Sequence, residues 1–147
     1  MKITLCGSIA FYENMLDVKS QLEKLSHEVK LPPSEVKDKE GNLIPVAEYY
    51  QIRQNTNNQD LWIWERKKEA MILHFKKVEW SEAILVTNYD KKGIKNYIGS
   101  NTLIEMGLAL YFNKEIYLLN EIPETQSKEE ILGMKPTIIN QDLTKLK

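Results

Sequence analysis

The sequence has little of what would bind a zinc ion, form a disulfide or cross a membrane. Its 147 residues include one cysteine, Cys6, and two histidines. A single thiol cannot form an internal disulfide, and so few cysteine and histidine ligands argue against a zinc site. No apolar run approaches the ~20 residues that a membrane span needs. Met1 leads directly into a strand-like run without a basic-then-apolar leader, so we expect a cytoplasmic protein.

Strong charge of either sign is also lacking. The chain has 20 basic and 21 acidic side chains and a formal net charge of −1, so no strong field draws nucleic acid or an anionic membrane. Basic clusters such as Lys91-Lys92 are interleaved with acids, and we interpret them as solvated surface. The sequence contains neither G-x-G-x-x-G nor a P-loop, so we infer neither a dinucleotide nor a triphosphate ligand. We expect no cofactor and no metal.

What the sequence does contain is an alternation of short apolar runs with amphipathic segments. The apolar runs predict strands over residues 2–6, 27–31, 82–88, 115–119 and 136–139. Apolar residues at helical spacing predict helices at residues 11–25, 60–78, 100–113 and 127–132. Strands that alternate with helices predict an α/β fold, with a parallel sheet covered by helices on both faces. We find no internal repeat and no linker, and we predict one domain over residues 1–147.

One stretch, from Ser34 to about Asn57, breaks this alternation. It contains Gly41-Asn42, Pro45 and a polar run at residues 54–59. We predict a loop with a hairpin-like turn or a short helix near residues 48–52. A loop of this length in a compact domain is often a lid over a binding site. A flexible excursion without a function is an equally good interpretation.

Ligands of open parallel sheets bind beyond the carboxyl ends of the strands, so the loops at that edge are the candidate site. The first loop is Gly7-Ser8-Ile9, where a glycine lets a ligand approach the backbone and the next helix start offers free amides. The alternative is that the turn simply needs a glycine. The second loop begins at Asn88, includes Asp90 and runs to Gly99. The third is the segment after Leu119.

The second loop leads into a helix that carries an acidic residue, Glu105, about one turn from its start. Gly99, Ser100 and Asn101 provide the signals for the beginning of this helix. The positive end of a helix dipole favours the ionised form of a nearby carboxyl group, and an ionised carboxylate can act as a nucleophile or a base. The same spacing, Thr102-x-x-Glu105, fits a capping box, which is the commoner use of such a glutamate.

Three motifs together resemble a known family. They are K-I-T-L-C-G-S-I at residues 2–9, W-S-E-A-I-L-V-T-N at 80–88 and Y-I-G-S-N-T-L-I-E-M-G-L-A-L-Y-F-N-K-E-I-Y-L-L at 97–119. In this order, over nearly the whole chain, they resemble the nucleoside 2-deoxyribosyltransferase-like superfamily. That group includes nucleoside deoxyribosyltransferases and deoxynucleoside 5′-monophosphate N-glycosidases. The resemblance implies a Rossmann-like (flavodoxin-like), three-layer, doubly wound sheet of five parallel strands, and a homo-oligomer that is at least dimeric.

The resemblance also implies roles for single residues. Glu105 in T-L-I-E-M-G matches the family's nucleophile for a retaining double displacement at a deoxyribose C1′. The loop of Gly7 and Ser8 matches the one beside the sugar or phosphate, and Asn88 stands where the family has a polar residue at a strand end. Gly99 occupies the position at which transferases often carry an aspartate, and the arginine of the monophosphate enzymes is absent after Ser8.

These observations lead to one main hypothesis and two alternatives. The hypothesis is cleavage or transfer of the N-glycosidic bond of a nucleoside or nucleoside 5′-monophosphate, with Ser100 and Asn101 holding ribose hydroxyls or a phosphate. The proton for the departing base would come from one of four candidates, Tyr12, Glu13, Tyr89 or Asp90. The first alternative is a non-catalytic nucleotide-binding or signalling domain on the same scaffold. The second is an oligomeric interaction domain without a ligand.

Overall fold

The computed structural model describes residues 1–56 and 59–147, and it divides the chain into two compact units. The first unit comprises Met1–Leu31 and Lys77–Lys147, and the second comprises Pro32–Lys76. The strands are β1 (Lys2–Cys6), β2 (Glu28–Lys30), β3 (Glu35–Lys37), β4 (Leu43–Pro45), β5 (Ala83–Val86), β6 (Glu115–Leu118) and β7 (Thr137–Ile138). The helices are α1 (Tyr12–Lys24), α2 (Val46–Gln54), α3 (Leu61–Trp80), α4 (Ser100–Tyr111) and α5 (Lys128–Met134). The prediction of a single domain stays a prediction.

The first unit is built on a five-stranded sheet in the order β2-β1-β5-β6-β7, and every pair in it is parallel. Side chains on a strand alternate between two faces. Those of Ile3, Leu5 and Leu85 face a core shared with the buried side of α1: Met15, Val18 and Leu22. Those of Cys6, Ile84 and Val86 face the second core, which includes Met106 and Ala109 of α4 and Ile131 of α5. The predicted three-layer, doubly wound fold is therefore confirmed.

The central strands end together at one edge of this sheet. Cys6 is opposite Val86, and Val86 is opposite Leu118. The residues that follow, Gly7 after β1 and Thr87 after β5, consequently lie side by side. The Thr87 amide donates to the Cys6 carbonyl at 2.9 Å, and its hydroxyl donates to the same oxygen at 3.2 Å. This edge is where the sequence places the candidate site.

The second unit contains the segment that breaks the alternation in the sequence. Strands β3 and β4 form an antiparallel hairpin, whose turn is closed by Asp38. One Asp38 carboxylate oxygen accepts from the amides of Glu40 at 2.9 Å and Asn42 at 2.8 Å. Gly41 has a φ of +88°, which a glycine adopts without strain. The helix α2 follows directly, so the hairpin and the short helix, predicted as alternatives, are both present.

Within the second unit, the hydroxyl of Tyr49 donates to the carbonyl of Ile63 at 2.6 Å, which ties α2 to the start of α3. Both residues are buried in a small core with Val36. The predicted polar loop extends to Asn57, which lies outside the described residues. The possible function of this segment as a lid stays a prediction. Among residues 1–56 and 59–147, no helix is long and apolar enough to cross a membrane.

The close approach of β1 and β5 leads to a prediction about Gly7. A Cβ at this position would overlap the Thr87 hydroxyl oxygen and would lie 3.0 Å from Met15 Cε and 3.2 Å from the Thr87 carbonyl oxygen. Because overpacking of this kind costs about 1–3 kcal/mol, we expect Gly7→Ala to lower the free energy of unfolding in a urea titration by that amount.

The matched control is Gly107→Ala in α4. A Cβ there would meet none of the described residues within 4 Å. Replacing a glycine inside a helix by alanine stabilises it by about 0.5–1 kcal/mol. If the two variants had the same stability, the close approach at Gly7 would not be what requires a glycine.

Candidate functional site

The loop after β1 is held by its own hydroxyl and by a lysine from another loop. Ser8 precedes a single 3₁₀ turn, Ile9–Phe11, and its Oγ accepts from the amide of Ala10 at 3.3 Å. The Lys91 ammonium donates to the same Oγ at 2.6 Å. Gly7, Ser8 and Ile9 are all half-buried. The predicted first loop is thus in contact with the ammonium group of Lys91, which comes from the loop after β5.

Lys91 occupies this position because the loop after β5 turns back on itself. Lys91 and Ile94 exchange backbone hydrogen bonds of 3.0 and 2.9 Å. The residues between them, Lys92 and Gly93, have φ values of +53° and +73°, the pattern of a type I′ turn. Lys91 Nζ also lies 5.3 Å from the centroid of the Tyr97 ring. The interpretation of Lys91 as solvated surface is therefore wrong, because this residue is half-buried and donates a hydrogen bond to Ser8.

Asn88 and Asp90 begin this loop, and both make bonds within the protein. Asn88 is fully buried. Its Nδ2 donates to the carbonyls of Asn120 at 3.1 Å and Glu121 at 3.0 Å, while its Oδ1 accepts from the amide of Asn120 at 2.9 Å. Asp90 is exposed, and its Oδ1 accepts from the amide of Asn96 at 2.9 Å. Asn88 therefore clamps the ends of β5 and β6, and its role in ligand binding stays a prediction.

The start of α4 differs from the capping-box interpretation. Gly99 is the N-cap, and a glycine has no side chain with which to accept a cap bond. A Cβ at Gly99 would lie 3.1 Å from the hydroxyl oxygen of Tyr97, so this ring would have to shift slightly to admit one. Ser100 is then the first helical residue and Thr102 the third, which places Glu105 sixth. A capping box needs the glutamate at the third position, so that interpretation is wrong.

Glu105 is buried, with 3% of its surface exposed. The helix dipole acts most strongly within the first turn, and Glu105, at the sixth position, lies beyond it. Specific hydrogen-bond donors to Glu105 therefore matter more than the dipole. Asn101, one turn earlier, donates from Nδ2 to Glu105 Oε1 at 3.0 Å. Ser100 and Asn101 are exposed at the helix start. Asn101, one of the predicted ligand-binding residues, thus contacts the predicted nucleophile directly.

A second contact of Glu105 comes from the sheet. Cys6 is fully buried, its thiol hydrogen-bonds to Glu105, and its Sγ lies within 4.8 Å of a Glu105 carboxylate oxygen. Burial raises the pKa of the Cys6 thiol well above its usual value of 9.0, and the nearby Glu105 carboxylate raises it further. Cys6 is therefore a neutral thiol at physiological pH. The sequence does not reveal this contact, and the position of Cys6 at the end of β1 is the one signal that points to it.

The other candidate acids lie around the first loop. Tyr89 packs edge-on against Phe11, with ring centroids 5.2 Å apart. Burial raises the pKa of Tyr89 above 10.0, and Asp17 raises it further, so the phenol stays protonated at neutral pH. Tyr12 is half-buried and Glu13 is exposed, both in the first turn of α1.

An open cavity of about 280 Å³ lies at the same edge of the sheet, between the loop after β5 and the segment after β6. Its lining residues are Gly93, Ile94, Lys95, Asn96, Ile122, Pro123 and Glu124. Its volume is close to the lower limit of about 300 Å³ for small-molecule pockets. It lies at the middle of the predicted second loop, and its lining does not include Asn88, Asp90 or Glu105.

Comparison with solved structures identifies proteins that share this fold. One is a 2-deoxyribosyltransferase from the psychrotolerant bacterium Bacillus psychrosaccharolyticus, 16% identical, with a TM-score of 0.50 over 80% of this chain and 71% of that chain. Another is a CMP N-glycosidase of Clostridium botulinum, 15% identical, with a TM-score of 0.51 over 99% of this chain and 98% of that chain. No protein-family model and no curated protein sequence matches the chain. The resemblance noted in the sequence is therefore confirmed at the level of the fold.

The amide clamp leads to a prediction for Asn88→Asp. The carboxylate would still accept from the Asn120 amide, but it could not donate to the carbonyls of Asn120 and Glu121. Because each unsatisfied buried group costs about 1–3 kcal/mol, we expect a loss of at least about 2 kcal/mol in chemical denaturation. Asp90→Asn, which keeps an acceptor for the Asn96 amide, is the control and should change stability little. Equal stability of both variants would contradict the clamp.

The buried thiol leads to a prediction about alkaline pH. The pKa of Cys6 is raised in the folded protein, so the unfolded chain loses this proton first, near pH 9. The stability that depends on the neutral thiol is complete below that pH and declines as the pH rises further. We expect Cys6→Ser, whose hydroxyl does not titrate there, to lose less stability between pH 8 and about 10.5 than the wild type. Parallel curves from thermal unfolding would contradict this.

Proposed function

We propose that this chain cleaves or transfers the N-glycosidic bond of a nucleoside or a nucleoside 5′-monophosphate, with Glu105 as the nucleophile. The observation that carries the proposal is a buried carboxylate in contact with the last residue of a central strand, at the carboxyl edge of a parallel sheet. This edge is where open α/β sheets bind their ligands. The fold shared with a 2-deoxyribosyltransferase and a CMP N-glycosidase supports the choice of reaction.

Helix capping does not explain why Glu105 is buried, because this residue lies at the sixth position of α4. A role in catalysis would explain it. A buried carboxylate costs free energy unless donors compensate its charge. The amide of Asn101 and the thiol of Cys6 both donate to it here. Both are neutral groups, so they orient the carboxylate without cancelling its charge.

In the proposed reaction, one carboxylate oxygen of Glu105 attacks C1′ from the face opposite the base. The C1′–N bond breaks, its electron pair leaves with the base, and a glycosyl ester forms on the enzyme. Water or a second base then attacks C1′ from the face that the first base left and gives up a proton to the group that protonated that base. This step releases Glu105 and restores the original configuration. The leaving base takes up a proton from an acid at the edge of the sheet.

Four candidates for that proton stay open, Tyr12, Glu13, Tyr89 and Asp90, and one of them, Tyr89, is protonated at neutral pH. Its raised pKa keeps it protonated at neutral pH, and its ring packs on Phe11 beside the first loop. The hydroxyl of Ser8 and the ammonium of Lys91, 2.6 Å apart, provide polar groups for ribose hydroxyls or a 5′-phosphate. Ser100 and Asn101, exposed at the start of α4, add a hydroxyl and an amide.

The homo-oligomeric state also remains part of this proposal. Helix α4 exposes several large apolar side chains: Ile104 at 50%, Leu110 at 51% and Tyr111 at 83%. Exposed apolar groups concentrated on one helix favour association. A location in the cytoplasm stays a prediction.

The test of the proposal is Glu105→Gln. This change keeps the shape of the side chain and an oxygen that can accept from Asn101, but it removes the nucleophile. With a panel of nucleosides and 5′-monophosphates, we expect base release by the wild type, measured by chromatography. Loss of a covalent nucleophile should reduce kcat at least about a thousandfold. Acid-quenched wild type should show the mass of a glycosyl adduct, and the variant should not.

The matched control is Glu115→Gln, at the first position of β6 and therefore at the opposite edge of the sheet. It should keep wild-type rates. Equal base release by wild type and Glu105→Gln would disprove the role of Glu105. Binding of a nucleotide without base release by the wild type would instead favour the non-catalytic binding domain.

A further inference from the structure

The contact between Cys6 and Glu105 joins two elements of the first unit. Cys6 ends β1, and the alternation of the strand turns its side chain toward the core that contains Met106 and Ala109 of α4. Glu105 precedes Met106 on that helix and is buried like Cys6, at 3% and 0% exposure. The side chains therefore meet at the sheet edge, one residue before the loop that begins with Gly7.

The chemistry of the pair determines which group donates. Burial and the neighbouring carboxylate both raise the pKa of the Cys6 thiol, so its proton remains on sulfur. A neutral S–H is a weak donor, and the carboxylate oxygen accepts from it. The bond therefore runs from Cys6 to Glu105.

Asn101 and Cys6, which both donate to Glu105, belong to different elements of the fold. Asn101 lies on the same helix, one turn away, and moves with it. Cys6 belongs to β1, which pairs with β2 on one side and β5 on the other. The hydrogen bond from the thiol therefore fixes the position of the carboxylate relative to the sheet. The loop of Gly7 and Ser8 follows a strand of the same sheet.

We propose that Cys6 is a positioning residue, whose thiol ties the Glu105 carboxylate to the end of β1 and so holds it in line for attack on C1′. The inference rests on the proposed function of Glu105. Attack requires the reacting atoms to be about 3–3.5 Å apart and aligned, and a misplacement of about 1 Å costs up to a hundredfold in rate. Cys6 acts through Glu105 and does not itself touch the substrate.

The first measurement reads the hydrogen bond without any need for turnover. Cys6 is the single cysteine of the chain, so the S–H stretching band in the infrared spectrum belongs to it alone. A hydrogen bond to a carboxylate lowers the frequency of this band. We expect a higher frequency in Glu105→Ala than in the wild type, and an intermediate one in Glu105→Gln, whose oxygen is a weaker acceptor. An identical band in all three proteins would overturn the proposal.

The second measurement uses kinetics with Cys6→Ala and Cys6→Ser. For Cys6→Ala we expect about a tenfold loss in kcat, the scale of one hydrogen bond to a charged group, with KM within about twofold of wild type. The acid limb of the kcat profile should move to higher pH, because a carboxylate that loses a donor is easier to protonate. Cys6→Ser retains a donor and should recover most of kcat and of the acid limb.

The matched control is Val86→Ala, directly opposite Cys6 in the register and part of the same core. It removes buried volume without removing a hydrogen-bond donor, so it should lower stability and leave the acid limb in place. A shift of the acid limb in Val86→Ala equal to that in Cys6→Ala would overturn the proposal, because packing alone would then explain both. No base release by the wild type, with the infrared shift retained, would reject the proposed function while supporting the hydrogen bond.

Discussion

The candidate site depends on a carboxylate that is buried against the end of a central strand. Glu105 is buried, and Asn101 and Cys6, both neutral, donate hydrogen bonds to its carboxylate. Breaking one buried hydrogen bond to a charged group costs about 1.5–3 kcal/mol, a large share of the 5–15 kcal/mol by which a typical domain is stable. The position of α4 on the sheet and the orientation of the Glu105 side chain are therefore coupled, because a change in either would break a hydrogen bond to the buried carboxylate.

The rest of the sheet edge is held by polar side chains that take the place of backbone pairing. Where β5 ends, Asn88 uses its amide to bind the segment after β6, and Asn120 returns a bond of 3.1 Å to the Asn88 carbonyl. Lys91 reaches across to Ser8 at 2.6 Å. These bonds order the loops before any ligand arrives, and a preorganised site avoids the cost of ordering them at the time of binding.

The sequence was a good guide to the elements and a poorer one to the contacts. Short continuous apolar runs predicted the five parallel strands, because strands that are buried on both faces of a sheet need apolar side chains on both sides. The capping box failed because α4 begins at Ser100, after Gly99, which puts Thr102 inside the helix and Glu105 at its sixth position, where it pairs with Asn101. Lys91 was misjudged because its reach depends on the turn at Lys92 and Gly93. The bond between Cys6 and Glu105 required the register of a helix on a sheet, which no local pattern encodes.

The order of the strands has a consequence for how the chain is connected. β1 pairs with β5, Ile3 opposite Ala83, so the central pair of the sheet closes a loop that includes the whole second unit. The entropy lost in closing a flexible loop grows only with the logarithm of its length, about 0.6 kcal/mol for each doubling. Lengthening or shortening the insert between β2 and β5 therefore costs little in closure entropy. Closure entropy thus leaves the length of this insert free to differ while Gly7 and Thr87 meet at the same edge.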